Sequence, residues 1–206
     1  MPKKIYIYGA GGHARVVAST ARLCGYEIAG FFEDTDERVG KYFCESRIVS
    51  LKDIPNQSEV FIAFGDNKNR LRKGKELSQY YKIPIIIHPS SQVAEGTKIG
   101  FGSYIGALGN IDPGCQIGNF CIINNCANIS HETILESGCH ICGGVNIAGR
   151  CYIGECAMVG IGSCMIENRF VGKNTIIGAG SVVIRDIKEN CIAVGSPAKV
   201  ISQNNK

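Results

Sequence analysis

The sequence predicts a small N-terminal Rossmann-like α/β domain with a parallel sheet, residues 1–86, followed by a parallel β-helix over residues 87–206. Two patterns indicate this division. Before residue 87, strand-like and helix-like segments alternate, which is typical of parallel sheets. After it, an aliphatic residue or Met recurs every sixth position without a phase slip, a period typical of parallel β-helices. The repeating positions are Ile87, Val93, Ile99, Ile105, Ile111, Ile117, Ile123, Ile129, Leu135, Ile141, Ile147, Ile153, Val159, Met165, Val171, Ile177 and Val183.

The repeat has a second component two positions before each aliphatic residue. That position is mostly small, and side chains two apart on a strand face the same side. Each short strand is therefore expected to point one large and one small side chain into the core. Four of the eleven cysteines fall at the small position and are predicted to be core residues rather than metal ligands: Cys115, Cys121, Cys139 and Cys151.

One repeat departs from the pattern. Arg169 occupies the position of a small inward residue. A buried, unpaired arginine is energetically costly. The sequence therefore predicts a bulge or an outward loop across residues 165–170.

The first 86 residues predict four strands and two helices. A glycine-rich loop, Gly9–His13, joins the first strand to the first helix, and the backbone N–H groups of such a loop can bind an anion. The second strand ends in Glu33 and Asp34, which can accept hydrogen bonds from a ribose or a base. The predicted strands are Ile5–Tyr8, Ile28–Phe32, Val60–Phe64 and Ile83–Ile87, and the helices are Ala14–Leu23 and a second one ending near Tyr81.

The glycine-rich loop does not complete the dinucleotide-binding fingerprint. The third glycine of G-x-G-x-x-G is missing at Ala14 and Arg15, and a domain of 86 residues is too short for a complete dinucleotide fold. A mononucleotide-type site is the preferred interpretation. A glycine-rich turn without a ligand is the alternative.

Composition and charge argue against several classes of function. The formal net charge is +4, and the sequence has no lysine or arginine block of the kind that binds nucleic acid. Met1–Lys4 leads directly into a strand, so no signal peptide is predicted. No apolar run reaches the roughly 18–20 residues that cross a bilayer. We therefore expect a cytoplasmic protein with reduced cysteines, without nucleic-acid or membrane partners and without a metal.

The candidate catalytic group is His131, which precedes Glu132 at a predicted coil corner. Neutral imidazole, with an unperturbed pKa of roughly 6.5, can take a proton from an amine or hydroxyl as it attacks a thioester. A carboxylate on the other ring nitrogen would fix the tautomer and raise the basicity. A solvated His-Glu turn without catalytic function is the alternative.

Across essentially the whole chain, the order and spacing of short motifs resemble the bacterial UDP-4-amino-sugar N-acetyltransferases of bacillosamine and legionaminic-type pathways, within the hexapeptide-repeat sugar O-/N-acyltransferase family. The resemblance implies a left-handed β-helix with three faces per coil, and hence about five coils. It also implies acetyl-CoA as co-substrate and the 4-amino group of a UDP-linked 4-amino-4,6-dideoxy sugar as acceptor. The motifs are Tyr8–His13, Phe32–Asp34, Ile62–Asn67, Ser130–Glu132, His140 and Ala193–Lys199.

The same resemblance implies roles for individual residues. His131 would be the general base and Glu132 its basicity-raising neighbour. Glu33 departs from the family pattern, which has an aspartate there. The acetyl-CoA groove would include His140, Ile161 and Ala179, and the nucleotide sugar would contact Gly11, Gly12, His13, Glu33, Asp34 and Gly65.

The spacing of the two histidines bears on assembly. His131 and His140 are one and a half repeats apart, so they are expected near different edges of the prism. For both to line one site, the second must come from a neighbouring chain. This predicts a homotrimer with active sites between the chains, as the family also implies.

Other interpretations differ in how they use the same residues. A sialic acid O-acetyltransferase would use His131 on a hydroxyl, but His140 favours the amino-sugar enzymes. A serine O-acetyltransferase would leave the N-terminal domain without a purpose. A γ-type carbonic anhydrase needs three zinc-bound histidines, and the repeat from Val93 to Val183 contains two. A catalytically silent scaffold or nucleotide-binding regulator is the non-enzymatic alternative.

Overall fold

The computed structural model describes residues 3–204, so Met1, Pro2, Asn205 and Lys206 at the predicted domain ends lie outside the described residues. The chain forms a small parallel sheet with two helices, followed by a left-handed parallel β-solenoid of about six coils. The predicted fold class is confirmed, with about one coil more than expected. The domain boundary after residue 86 stays a prediction.

The N-terminal sheet has three parallel strands in the order β2-β1-β5. The apolar stripe of the first helix explains its packing, because Ala14, Val17, Ala18 and Ala21 follow the i, i+3, i+4, i+7 spacing and are all buried. The elements are β1 (Lys3–Tyr8), α1 (Gly12–Leu23), β2 (Tyr26–Phe32), the 3₁₀ turns Asp36–Arg38 and Leu51–Asp53, the hairpin of β3 (Tyr42–Phe43) and β4 (Ser46–Arg47), β5 (Glu59–Ile62) and α2 (Asn67–Leu77).

The fourth strand predicted for this sheet is wrong. Lys82 makes a single bridge to Glu59, after which the chain leaves the sheet. Pro84 has no N–H to donate and interrupts the expected strand. Only Ile86–Ile87 (β6) is extended, and it pairs with a strand of the solenoid.

The solenoid has three faces of short parallel strands, and successive strands on one face are 18 residues apart except in the final coil, where Ile192 pairs with Ile176. The face that meets the N-terminal domain, here called the docking face, contains β6, β9 (Tyr104–Ile105), β12 (Ile122–Ile123), β15 (His140–Ile141), β18 (Met158–Val159), β21 (Ile176–Ile177) and β23 (Cys191–Val194). The second face contains β7 (Gln92–Val93), β10 (Asn110–Ile111), β13 (Asn128–Ile129), β16 (Asn146–Ile147), β19 (Cys164–Met165) and β22 (Val182–Val183). The third contains β8 (Lys98–Ile99), β11 (Gln116–Ile117), β14 (Ile134–Leu135), β17 (Tyr152–Ile153) and β20 (Phe170–Val171).

Most repeats place one small and one aliphatic side chain in the core. On β12, for example, the small Cys121 and the aliphatic Ile123 both point inward and are fully buried. Small polar residues are satisfied within the stack, as where Ser103 Oγ donates to the Gly118 carbonyl and accepts from the Cys121 N–H, each at 2.9 Å. Three residues after each aliphatic position from Val93 to Ile177, the backbone turns through positive φ. Glycine adopts this conformation at many corners, but Glu132 also adopts it, at φ 59°.

The bulge predicted for residues 165–170 is wrong. β19 and β20 keep the six-residue spacing, and β20 pairs in register with β17. β20 is the last full strand of its face, and beyond it the chain continues only as a single parallel bridge from Val171 to Ile187. The side chain leaves the core and its Nη1 lies 3.4 Å from Oδ1 of Asp186. A regular backbone therefore accommodates an arginine at the end of the stack.

The N-terminal domain packs on the docking face through both of its helices. The cluster around α1 includes Tyr104, and the Thr20 and Tyr104 hydroxyls are 2.9 Å apart. The cluster around α2 includes Phe120, a fully buried corner residue. Gly74 in α2 lets the helix approach this ring, since a Cβ there would overlap it.

The C-terminal strand β24 (Lys199–Gln203) reverses direction. It pairs antiparallel with β23, whereas the solenoid strands on all three faces are parallel to their neighbours. Its five residues are all exposed.

The contact between Gly74 and Phe120 predicts a destabilising effect of a substitution that normally favours helices. In an unconstrained helix, Gly74→Ala would stabilise by up to about 1 kcal/mol. Here the added methyl group must push α2 away from the ring, so we expect a net loss of about 1–3 kcal/mol, measured as a lower denaturant midpoint. The exposed Lys75→Ala is the matched control and should change stability by less than about 0.5 kcal/mol. An increase in stability for Gly74→Ala would contradict the packing described.

Candidate active site

The glycine-rich loop opens onto a cleft at the carboxyl end of the N-terminal sheet. Helix α1 begins directly after Gly11, which gives no side-chain cap, and its first turn contains no acidic residue. A Cβ at Gly11 or Gly12 would contact nothing within 4 Å, so the loop borders open space. The first N–H groups of the helix are therefore free to bind an anion.

An acidic corner lies opposite the loop, after β2. Asp34 Oδ1 accepts hydrogen bonds from the Tyr8 hydroxyl and from Lys73 Nζ, the latter at 2.6 Å. Lys73 and then Tyr8 lower the pKa of Asp34. Burial and the bond to Asp34 raise the pKa of Tyr8 to about 12. Glu33 pairs with Arg38 at 3.1 Å. Both carboxylates are thus held in fixed positions at the cleft wall.

The cleft has a volume of about 520 Å³. It brings together all six residues that the sequence assigned to substrate, and it adds basic side chains from α2, Arg72 and Lys73. A second cavity of about 630 Å³ adjoins it through the wall formed by Glu33, Asp34 and Lys73. The six assigned residues are Gly11, Gly12, His13, Glu33, Asp34 and Gly65.

Two histidines meet behind this cleft, between the domains. His13 packs edge-on against Tyr104, and His140 projects outward from β15 on the docking face. In each ring Nε2 is shielded from solvent and has no hydrogen-bond partner among the described residues. Burial, followed by the charge of Arg70, lowers the pKa of His13 to about 3 and that of His140 to about 4.

The predicted catalytic pair lies elsewhere on the same chain. His131 Nδ1 is 3.1 Å from Glu132 Oε2 at an exposed corner between the second and third faces. The ring fits there because Gly149 has no side chain in the next coil, where a Cβ would overlap it. Arg150 Nη1 lies 3.7 Å from the same Glu132 oxygen. The sequence predicts that His131 and His140 lie near different edges of the prism. In the structure His131 lies at the corner between the second and third faces, whereas His140 lies on the docking face.

The remaining residues assigned to the acetyl-CoA groove form an exposed edge of the solenoid. Ile161 and Ala179 occupy the same corner one coil apart, and the Gly180 N–H donates to the Ile161 carbonyl at 2.8 Å. The Ile161 side chain is 62% exposed, and Leu108 on the same edge is 65% exposed. This edge begins immediately beyond the strand that carries His140.

The cysteines do not form a ligand cluster. Cys139 and Cys142 have C-x-x-C spacing. However, the thiol of Cys139 is fully buried in the solenoid core, whereas the side chain of the neighbouring His140 points outward, so these potential ligands do not converge on one point. Cys121 and Cys139 stack as free thiols in adjacent coils. Within residues 3–204, no group of three or more potential metal ligands is present. Over the same residues, no helix is long and apolar enough to span a membrane.

Sequence reasoning missed the contribution of α2. The buried face of this helix comprises Arg70, Leu71, Gly74 and Leu77, so an arginine occupies a position in the apolar stripe. This arginine in an otherwise apolar stripe was the sequence signal that could have indicated a special role for α2. The basic residues Arg72 and Lys73 on the cleft side gave none, because charged residues are ordinary on a helix surface.

Comparison with solved structures identifies similar proteins over nearly the full length. A variant of perosamine N-acetyltransferase from Caulobacter crescentus, in complex with CoA and GDP-perosamine, is 30% identical, with 97% of each chain covered and a TM-score of 0.90. The acetyltransferase domain of PglB from Neisseria gonorrhoeae, in complex with acetyl coenzyme A, is 28% identical. It covers 98% of this chain and 100% of that chain, with a TM-score of 0.90.

Sequence comparison gives shorter matches. Residues 4–77 match the family described as PglD N-terminal domain. A putative acetyltransferase of Saccharomyces cerevisiae, YJL218W, is 48% identical over 58 residues, which is 28% of this chain and 30% of that protein. Serine acetyltransferase of Synechococcus elongatus is 30% identical over 121 residues, which is 58% of this chain and 48% of that protein. The chain therefore spans less than half the length of these two curated relatives.

Full-length similarity to two acetyltransferases, in a solenoid built on a six-residue repeat, defines this chain as a hexapeptide-repeat acetyltransferase. It belongs to the sugar N-acetyltransferases of that family.

The buried histidine pair predicts acid sensitivity. In the folded protein both rings stay neutral well below pH 6.5, whereas the unfolded chain takes up two protons there. Stability is therefore unaffected by these groups above about pH 6.5 and is lost as pH falls towards 4, at up to about 2.7 kcal/mol per pH unit for two protons. Denaturant unfolding at several pH values measures this slope.

The double variant His13→Gln, His140→Gln serves as the control for the acid effect. It removes both titrating groups, so its stability should fall less steeply between pH 6.5 and 4 than that of the wild type. Equal slopes for the two proteins would rule out the buried neutral pair.

Proposed function

We propose that this protein transfers the acetyl group of acetyl-CoA to the 4-amino group of a UDP-linked 4-amino-4,6-dideoxy sugar, with His131 as general base assisted by Glu132. The observation that carries the proposal is the convergence on one cleft of the six residues that the family resemblance assigned to the nucleotide sugar. Gly11 to His13 come from the start of α1, Glu33 and Asp34 from the end of β2, and Gly65 from the loop after β5. Enzymes of this family with CoA and a nucleotide-linked amino sugar bound support the same substrate class.

The charge distribution of the cleft supports a nucleoside diphosphate. The free N–H groups of α1 and the side chains of Arg72 and Lys73 offer donors for the diphosphate. The adjoining cavity, beyond Glu33 and Asp34, offers room for the nucleoside. Since Lys73 already neutralises Asp34, that carboxylate can accept from a ribose hydroxyl without repelling the phosphates.

In the proposed chemistry, His131 accepts one proton from the attacking amine and the leaving CoA thiolate takes up one proton. The amine nitrogen attacks the thioester carbonyl, a C–N bond forms and the C–S bond breaks. His131 Nε2 accepts the proton lost from the amine, and the CoA thiolate takes up a proton to leave as the thiol. With its proton on Nδ1, His131 donates to Glu132, which holds Nε2 as the acceptor. Arg150 competes weakly for Glu132, because exposed pairs contribute little.

We further propose that the site is completed by a neighbouring chain in a homotrimer. Within one chain, His140 and the nucleotide cleft lie on the docking side, whereas His131 is at another corner. The exposed apolar edge at Leu108 and Ile161 continues from the strand of His140. A second chain that covers this edge with its His131 corner would unite base, acetyl-CoA groove and sugar.

The acceptor is tested by measuring CoA thiol release from acetyl-CoA with a UDP-4-amino-4,6-dideoxy sugar. We expect turnover with this sugar and none with free sialic acid. A GDP-linked 4-amino sugar is included because the Caulobacter enzyme was solved with GDP-perosamine. Turnover with the GDP sugar alone would contradict the UDP assignment but keep N-acetylation, and turnover with sialic acid alone would replace it by O-acetylation.

The base is tested by His131→Ala in the same assay. We expect kcat to fall by roughly 10²–10⁴, because proton transfer at the attacking amine is lost, with the KM for the nucleotide sugar nearly unchanged. His88→Ala is the matched control, since the ring of His88 bonds to nearby Ser90 and His88 is not among the residues that line the cleft. Wild-type kcat in His131→Ala would exclude this residue as the base.

The shared site is tested by mixing two inactive variants, His131→Ala and His140→Ala, after unfolding and refolding together. If one site takes these histidines from two chains, random trimers recover about a quarter of the wild-type sites. If both come from one chain, activity stays at the level of the separate variants. Light scattering should give a mass near three times 22.2 kDa for the wild type, and a monomer would contradict the trimer.

A further inference from the structure

Arg70 is the largest fully buried side chain of the protein's described residues, and its hydrogen-bond partners are all neutral. Burial of a guanidinium without a carboxylate is costly, and an apolar residue of similar volume is often neutral or stabilising at such positions. Stability therefore gives no evident reason for a charge on the buried face of α2.

The guanidinium joins the substrate loop to the solenoid. On the N-terminal side it donates to the carbonyls of Phe64 at 2.9 Å and Gly65 at 3.2 Å. On the solenoid side it donates to the carbonyls of Phe120 and Gly138, each at 2.8 Å. Gly65 lines the proposed nucleotide-sugar cleft, and Gly138 lies two residues before His140. The planar guanidinium of Arg70, a rigid fork of N–H donors, therefore fixes the distance between these two parts of the site.

The same charge acts on the buried histidines. Burial is the main cause of the lowered pKa of His13 and His140, and the charge of Arg70 is the next. The carboxylate that acts on Arg70 is Asp66, at the start of α2. A positive charge near both imidazoles opposes their protonation, and each Nε2 is buried without a hydrogen-bond partner among the described residues.

We propose that Arg70 is a positioning residue for acetyl transfer: its guanidinium locks the Phe64–Gly65 loop against the strand of His140. Its charge adds to burial in keeping the rings of His13 and His140 neutral. This inference rests on the proposed function for its catalytic consequence. The fork and the charge are separable parts of the role, because lysine supplies the charge without the fork.

Three variants in α2 test the proposal. Arg70→Lys keeps the charge but loses most of the hydrogen bonds, and Arg70→Met loses both. Leu71→Ala is the packing control: Leu71 packs beside Gly138, so its truncation loosens the same interface without changing the charge. For each, the ring protonation of His13 and His140 is followed by NMR, binding of UDP and GDP by calorimetry, and kcat and KM with the acceptor identified above.

We expect Arg70→Lys to leave both imidazoles neutral at pH 6 but to lower kcat/KM for the nucleotide sugar at least tenfold. Arg70→Met should in addition raise the protonation midpoint of both rings by a unit or more. Leu71→Ala should lower the melting temperature with both midpoints and kcat/KM close to wild type. If Arg70→Met fails to fold, Arg70→Lys against Leu71→Ala still separates positioning from packing.

Wild-type kcat/KM in Arg70→Lys, or unchanged midpoints in Arg70→Met, would overturn the proposal and leave Arg70 as a structural clamp. The titrations and nucleotide binding require no turnover. A failure of the proposed function, seen as absence of activity in the wild type with every acceptor, is therefore distinguishable from a failure of this inference.

Discussion

The architecture depends on the constraint that each coil except the last returns the backbone to the same register 18 residues later. A single inserted residue in a strand would turn every following side chain to the opposite face. The stack therefore tolerates a change of residue type only where side chains point away from its core, at corners and at outward-facing strand positions. The candidate chemistry occupies those positions: His131 and Glu132 form a corner, and His140 is the outward neighbour of the buried Ile141.

The regular stack also provides the rigid surface on which the N-terminal domain is oriented. Corner carbonyls that no strand uses are the acceptors for Arg70, and a corner side chain, Phe120, fills the space left by Gly74. The contact is specific because the Phe120 ring fits against Gly74 and the Arg70 guanidinium donates hydrogen bonds of fixed geometry. Docking the N-terminal domain on such a surface holds its cleft and the edge of the solenoid together without a flexible linker between them.

Much of this fold could be predicted from the sequence, because a strict six-residue period leaves few alternatives. The cleft was also predictable in part, since a glycine-rich loop and the acids at the end of the next strand lie at the same edge of a parallel sheet. The meeting of His13 with His140 could not be predicted, because they are over a hundred residues apart and depend on how the domains dock. Arg70 was missed for the same reason.

The errors have local causes. The bulge expected at Arg169 assumed that a full strand of another coil covers every inward position, but beyond β20 only a single bridge, Val171 to Ile187, continues this face. The strand expected over Ile83–Ile87 ignored Pro84, which has no N–H for pairing. Both show that a periodic pattern describes the interior of a repeat array better than its ends, where a residue loses a neighbour.

The reversed strand β24 has a consequence for the behaviour of the protein at high concentration. A stack of parallel coils carries unpaired N–H and C=O groups at its last strand, and these would accept a further parallel strand from any other molecule. On the docking face, the final strand instead runs antiparallel, and its five residues are exposed with Lys199 at its start. A coil from another solenoid would have to pair with this reversed strand and its exposed lysine instead of continuing the parallel register of the face. The change of direction thus opposes end-to-end growth into filaments, a hazard to which an array of identical repeats is otherwise open.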